Sequence, residues 1–120
     1  MDILVTNNPL AYEHFRDSFQ VEYLEAPLLE VLVYVRDHIH KGRTLLTHPL
    51  SGSVKPNETP YKSILVSDIK DKTNEQSVRI IEESIIKAKG FAPRQIPERY
   101  LQDLQVVDFS LISGALGVER

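Results

Sequence analysis

The amino-acid sequence predicts an α/β fold: a small three-layer α/β/α sandwich on a mostly parallel, Rossmann-like sheet of four to five strands. Three observations carry that expectation. Short apolar runs alternate with amphipathic stretches at helical spacing, and parallel neighbours need such crossover helices. Each run ends at polar, glycine or proline punctuation. The 120 residues are enough for one core and too few for two, so a single domain spans 1–120.

In chain order, Ile3-Leu4-Val5 forms a first buried strand stopped by Thr6-Asn7-Asn8-Pro9. Asn8 is placed to cap a helix whose first position is Pro9, with Ala11, Phe15 and Phe19 recurring every four residues until about Ser18 or Phe19. Val21 to Leu24 gives a second strand. Pro27 opens the clearest helix, striped by Leu28, Leu32, Val35 and Ile39 and closed by Gly42 in the left-handed conformation of a C-terminal cap. Thr44 to Thr47 reads as a third strand and Ser63 to Val66 as a fourth. Thr73 and Gln76 have the spacing of a capping box before a helix striped by Val78, Ile81, Ile85 and Ala88 and stopped at Gly90. Residues 91–96 connect to a short helix from Pro97 to Leu104, Val106-Val107 is a candidate last strand, and Ser110 to Leu116 a terminal helix or tail.

Between the third and fourth strands lies a loop of about 14 residues containing Pro49, Gly52, Pro56 and Pro60. Its lack of any helical stretch leaves two possibilities for those strands, antiparallel pairing or a wandering path into one sheet. Loops of this length in compact domains are uncommon and are usually functional or disordered.

Composition excludes several classes of function. A chain without cysteine has no disulfide, thiolate nucleophile or cysteine-based metal site. A net charge of -3 argues against nucleic-acid binding. The amino terminus lacks the features of a signal peptide, and the longest apolar run, Val31 to Val35, is far short of a bilayer span, so no membrane partner and a cytoplasmic location are expected. Locally the balance reverses: between residues 41 and 62, Lys41, Arg43, Lys55 and Lys62 face Glu58 alone, which suits a small anionic ligand as well as an ordinary solvated loop.

In an open α/β sheet, ligands bind beyond the carboxyl ends of the strands. Thr6, Asn7 and Asn8 leave the first strand there, His48 to Ser53 leave the third, and Asp108 would leave the last. Ser51, Gly52 and Ser53 are small enough to turn backbone amides toward an anion, with Lys55 or Lys62 adding charge, although a turn with one necessary glycine is the plainer reading. No phosphate-loop or dinucleotide motif is present, and no cofactor is expected. His48 is the candidate acid–base residue because its intrinsic pKa lies near neutrality, with Asp108 a distant carboxylate to orient it; a structural histidine at a strand end is the plainer reading. His38 and His40, two apart on a helix, point to different faces and so predict no metal site, but rather a favourable interaction with the helix dipole. The prolines around Asn57, Glu58, Thr59 and Tyr61 stiffen a display that either contacts a partner or fixes a path between strands.

The segments Thr6-Asn7-Asn8-Pro9, residues 46–63 (Leu-Thr-His-Pro-Leu-Ser-Gly-Ser-Val-Lys-Pro-Asn-Glu-Thr-Pro-Tyr-Lys-Ser) and Asp108-Phe109-Ser110-Leu111-Ile112 together resemble the GrdX family. These small proteins are encoded with the glycine, sarcosine and betaine reductase systems of amino-acid-fermenting anaerobes. The resemblance spans nearly the whole chain and implies an accessory protein, with reductase-complex proteins as partners and no assigned reaction or catalytic residues. The leading expectation is a non-catalytic binding or assembly factor that uses the loop 47–63 to recognise a small anion or a partner, with Thr6, Asn7, Asn8, His48, Ser51, Gly52, Ser53, Lys55, Asn57, Thr59 and Lys62 as ligand-binding residues. The alternative is a small enzyme using His48 on a phosphate- or carboxylate-bearing substrate. The third reading is an interaction or assembly protein without any ligand, which a flat loop in a homodimer interface would favour.

Overall fold

A computed structural model describes residues 1–50 and 54–117. Strand β1 (Ile3–Thr6) is buried along its whole length and forms the centre of a three-stranded sheet. On one side it pairs in parallel with β2 (Gln20–Tyr23), reached through helix α1 (Pro9–Phe15). On the other side it pairs antiparallel with β3 (Ser63–Val66), in a register that sets Thr6 opposite Ser63.

Helices cover both faces. Ile3, Val5, Ile64 and Val66 point toward α2 (Leu28–His40) and α3 (Glu75–Lys89), where Leu32, Val35, Ile39, Ile81 and Ile85 complete the larger core. Leu4 and Leu65 point the other way, into a smaller core with Ala11 and Phe15 of α1 and with Phe109 and Ile112 of α4 (Leu101–Leu116). That alternation is the period-two geometry of strands covered on both sides. Phe15 stacks on Phe109 at a centroid distance of 5.6 Å, which fixes α1 against α4.

The sheet corrects the expected fold. Among the described residues it has three strands instead of four to five, and it contains one parallel pair, so it is mixed and not a mostly parallel Rossmann-like sheet. Two local causes account for this. Residues 44–47 do run antiparallel beside β3, but their pairing shrinks to an isolated Leu45–Val66 bridge because hydroxyls replace backbone partners. Ser67 Oγ accepts from the Thr44 amide, Ser77 Oγ from the Leu45 amide, and Thr47 Oγ1 from the Leu65 amide. The second cause is at the carboxyl end, where Val106 and Val107 lie within α4 and form no strand. There the helical spacing of the buried Phe109 and Ile112 outweighs the strand preference of two β-branched residues.

Smaller corrections concern helix ends. The helix that begins at Pro9 ends at Phe15, with Asn8 as its cap, accepting from the Leu10 amide at 3.0 Å. Asn74, not Thr73, caps α3: its side chain accepts from the Ser77 amide at 2.8 Å. Instead of a helix through Leu104, Pro97 precedes a single 3-10 turn, Glu98–Tyr100, that leads directly into α4. Gly42 closes α2 with φ +101°, as its position predicts.

His38 does not merely favour the dipole at the end of α2. It is buried, and its Nε2 lies 2.6 Å from Glu22 Oε1, which also accepts from the Tyr34 hydroxyl at 2.9 Å. The Arg43 guanidinium, which only donates, lies 3.3 Å from His38 Nδ1, so Nδ1 accepts and the Nε2 proton faces Glu22. Burial alone would raise the Glu22 carboxyl, but the hydrogen bonds from His38 and Tyr34 and the nearby positive charge outweigh it and hold it below its usual 4.5. A carboxyl with a lowered folded-state pKa stabilises the fold above the unfolded value and loses that contribution as pH falls through the folded one. Glu22→Ala is therefore expected to lose about 1–2 kcal/mol at pH 7. In urea unfolding followed from pH 7 to pH 3, the gap between the two proteins should narrow below pH 4.5.

Candidate functional site

Beyond the carboxyl end of β1, the polar residues of Thr6-Asn7-Asn8 meet the chain around residues 60–63 and the middle of α4. Thr6 Oγ1 accepts from the Asn8 amide at 3.0 Å and shares a 2.7 Å hydrogen bond with Ser63 Oγ. Asn7 donates to the carbonyls of Ala26 (2.8 Å) and Pro60 (2.7 Å), while its oxygen accepts from the Lys62 amide at 2.8 Å. Asn8 donates to the Gln105 carbonyl and to Asp108 Oδ2, both at 2.9 Å, and Ser63 Oγ donates to the same carboxylate oxygen at 2.7 Å. Of the three segments that the topology predicted to converge, Thr6-Asn7-Asn8 and Asp108 meet, Asp108 being delivered by a helix, while of the third, His48 to Ser53, His48 lines a crevice beside Asp108 without joining the hub and Ser51 to Ser53 lie outside the described residues. The side chains of the hub spend their hydrogen-bonding capacity on one another, so it locks β1, β3, the 60–62 segment and α4 together.

Lys62 belongs to the same region. It is 8% exposed and lies near the equally buried Asp108. Burial pushes its ammonium below the usual 10.5, and the Asp108 charge opposes that shift only in part. Thr47, His48, Lys62, Ser63 and Asp108 line a crevice of about 20 Å³, closed on one side by Leu111, Ile112 and Ala115 of α4. Such a volume admits a water molecule and no larger substrate. His48 is exposed, and its Nδ1 accepts from the Leu50 amide at 3.1 Å.

The rest of the loop faces elsewhere. Lys55 is exposed, with its backbone amide on Glu58 Oε1 at 2.9 Å. The Thr59 hydroxyl accepts from the Tyr61 amide, and Asn57 donates to the Ala92 carbonyl at 3.0 Å. Ser51, Gly52 and Ser53 lie outside the described residues. The cations of the 41–62 region do not gather at one point: Arg43 joins His38, Lys62 is buried beside Asp108, and Lys41 and Lys55 are exposed.

Asn57 and Thr59 instead help to wall a groove of about 440 Å³. Its other walls are Pro27, Leu28 and Leu29 at the start of α2 and the stretch from Ala88 to Ile96 at the exit of α3. The lining is mainly apolar, and among the described residues its charged members are Lys89 and Arg94. Arg94 makes a loose ion pair with Glu58 at 3.8 Å, where both side chains are exposed. In the sequence residues 91–96 read as a connector, and the signal they carry is the apolar trio Phe91, Pro93 and Ile96 outside any periodic element.

Among the described residues no three His, Asp or Glu side chains gather as metal ligands, and no helix is long and apolar enough to cross a membrane. Fold and site together define a small mixed-sheet α/β domain with a satisfied polar hub and a separate apolar groove. The family model for GrdX-like proteins matches residues 3–117, and the chain belongs to that family. Membership points to an association with glycine reductase systems. No curated protein and no solved structure matches the chain.

Proposed function

We propose that this chain is a non-catalytic accessory protein of a glycine, sarcosine or betaine reductase system, and that it binds an acidic, partly apolar segment of a reductase component in the groove walled by residues 56–60. The observation that carries the reading is the groove itself: about 440 Å³, apolar within, with Lys89 and Arg94 as its charged lining. Apolar walls supply affinity, and Lys89, together with Arg94 once it exchanges its loose pair with Glu58 for the ligand, selects for negative charge. The prolines at 56 and 60 hold one wall in place, which reduces the ordering cost of association. Family membership supplies the reductase context. A catalytic role for His48 has weaker support, because its crevice of about 20 Å³ is too small for a substrate.

Co-purification of the chain with the reductase proteins, followed by titration calorimetry, tests this reading. Reversing the two charges with Lys89→Glu and Arg94→Glu should weaken association by roughly tenfold or more. His48→Ala should leave it unchanged. Failure to associate with any reductase protein, or an affinity indifferent to the charge reversal, would refute the proposal.

A further inference from the structure

The edge strand β2, the helix α2 and the segment that follows α2 are tied together through one buried imidazole. His38 sits between two groups of opposite charge: its Nε2 lies 2.6 Å from Glu22 Oε1 of β2, and its Nδ1 lies 3.3 Å from the Arg43 guanidinium. Of the other titratable groups around this end of α2, Tyr34 donates its hydroxyl to Glu22 and sets its ring edge-on to the imidazole at a centroid distance of 5.2 Å. Asp37 lies close enough to act on Tyr34, and Glu82 of α3 pairs with Arg36 at 3.4 Å. The remaining packing of β1, β3 and α3 on α2 is through apolar residues.

The two contacts make opposite demands on the ring. A carboxylate at Nε2 favours the imidazolium, as an opposite charge beside a titrating group does. The guanidinium at Nδ1 opposes it, because arginine has no acceptor, and a proton on Nδ1 would set two donors and two positive charges face to face. A second proton therefore enters only as Arg43 leaves. Arg43 is weakly held for such a position. Its contact with Nδ1 is long beside the Glu22 contact, and its Nε is buried with no hydrogen-bond partner among the described residues. Departure to solvent removes the cost of that unpaired donor. The side chain can move without the backbone, because the Arg43 amide keeps its own bond to the His38 carbonyl at 3.1 Å. We propose that His38 is a proton switch: protonation in mild acid strengthens its bond to Glu22 and drives the Arg43 side chain from its buried position to the surface, where Lys41 is already exposed.

Nitrogen NMR of the labelled full chain from pH 8 to pH 5 tests the proposal, with His14, His40 and His48 as internal comparisons. At pH 8 the His38 ring is expected in its neutral, Nε2-protonated form. As it takes up the second proton, the Arg43 Nε–H signal should move with the same midpoint and lose its protection from exchange with water, while the signals of the exposed Arg16 and Arg79 do not follow. Two variants bias the switch in opposite directions. Arg43→Met removes the opposing donor and should let His38 protonate at a higher pH than in the wild type, whereas Glu22→Gln removes the favouring charge and should delay protonation to a lower pH. An Arg43 signal that stays in place while His38 titrates would overturn the proposal, and so would a His38 that remains neutral until the chain unfolds. An Arg43→Met protein whose His38 titrates where the wild type does would contradict it as well.

Discussion

Asp108→Ala is expected to lower stability by about 3 kcal/mol, which is roughly 10 °C in Tm for a domain of this size. The carboxylate is 5% exposed and accepts from both Asn8 and Ser63, so its removal strips two buried donors of a charged partner at once. It also leaves the Lys62 ammonium without the charge that partly offsets its burial. That second effect has its own signature. A lysine whose folded-state pKa lies below the unfolded 10.5 binds fewer protons in the folded than in the unfolded state, so stability rises as pH approaches 10.5. Without Asp108 the folded value falls further, and the rise in stability on the alkaline side should begin at lower pH and be larger. Pairing the variant with Lys62→Met removes the stranded charge and should restore part of the loss. Urea unfolding of the four proteins at pH 7 and pH 9.5 reads all of these effects.

Gly42→Ala should be comparably damaging, by about 3 kcal/mol, for a different reason. At φ +101° a side chain is strained whatever its surroundings. Here the surroundings are also closed: an added Cβ would collide with the Asp71 backbone carbonyl, whose residue donates its amide to the Gly42 carbonyl at 3.0 Å. The end of α2 and the segment between β3 and α3 would have to separate. Thermal unfolding of this single variant checks the expectation; a Tm within 2 °C of wild type would mean the two segments do not meet as described.

The contrast between these two residues shows what was legible in the sequence. Gly42 could be assigned because the cause is local: an apolar stripe ends, and a left-handed residue must follow. The same holds for the Asn8 cap and for Leu28, Leu32, Val35 and Ile39, all of which are buried in the larger core. Asp108 stands out in the sequence as a site residue, but one that follows a strand, because Val106-Val107 looks extended when taken alone and only the packing of Phe109 and Ile112 against α1 and the sheet reveals the helix. The strand expected at 44–47 failed for a related reason. Its sequence is suitable, but the hydroxyls that take over its pairing come from residues 47, 67 and 77, and no local rule anticipates them.

The candidate site was legible in part. The loop after residue 47 is the least regular segment, and its residues do reach both the polar hub and the groove. What the sequence could not assign is the division between them. Thr6, Asn7 and Asn8 have the composition of ligand-binding residues, yet their partners are other residues of the chain. The groove is assembled from residues 27–29, 56–60 and 88–96, which become neighbours only because α2 and α3 pack side by side.

The central claim, that the groove and not the His48 crevice is the recognition surface, is tested most directly by amide chemical shifts of the labelled chain as a reductase component is added. Binding in the groove should move the resonances of Leu28, Leu29, Asn57, Ala88 and Arg94 and leave those around Thr47, His48 and Ser63 nearly in place. Perturbations centred on His48 and Ser63, with the groove unmoved, would contradict it.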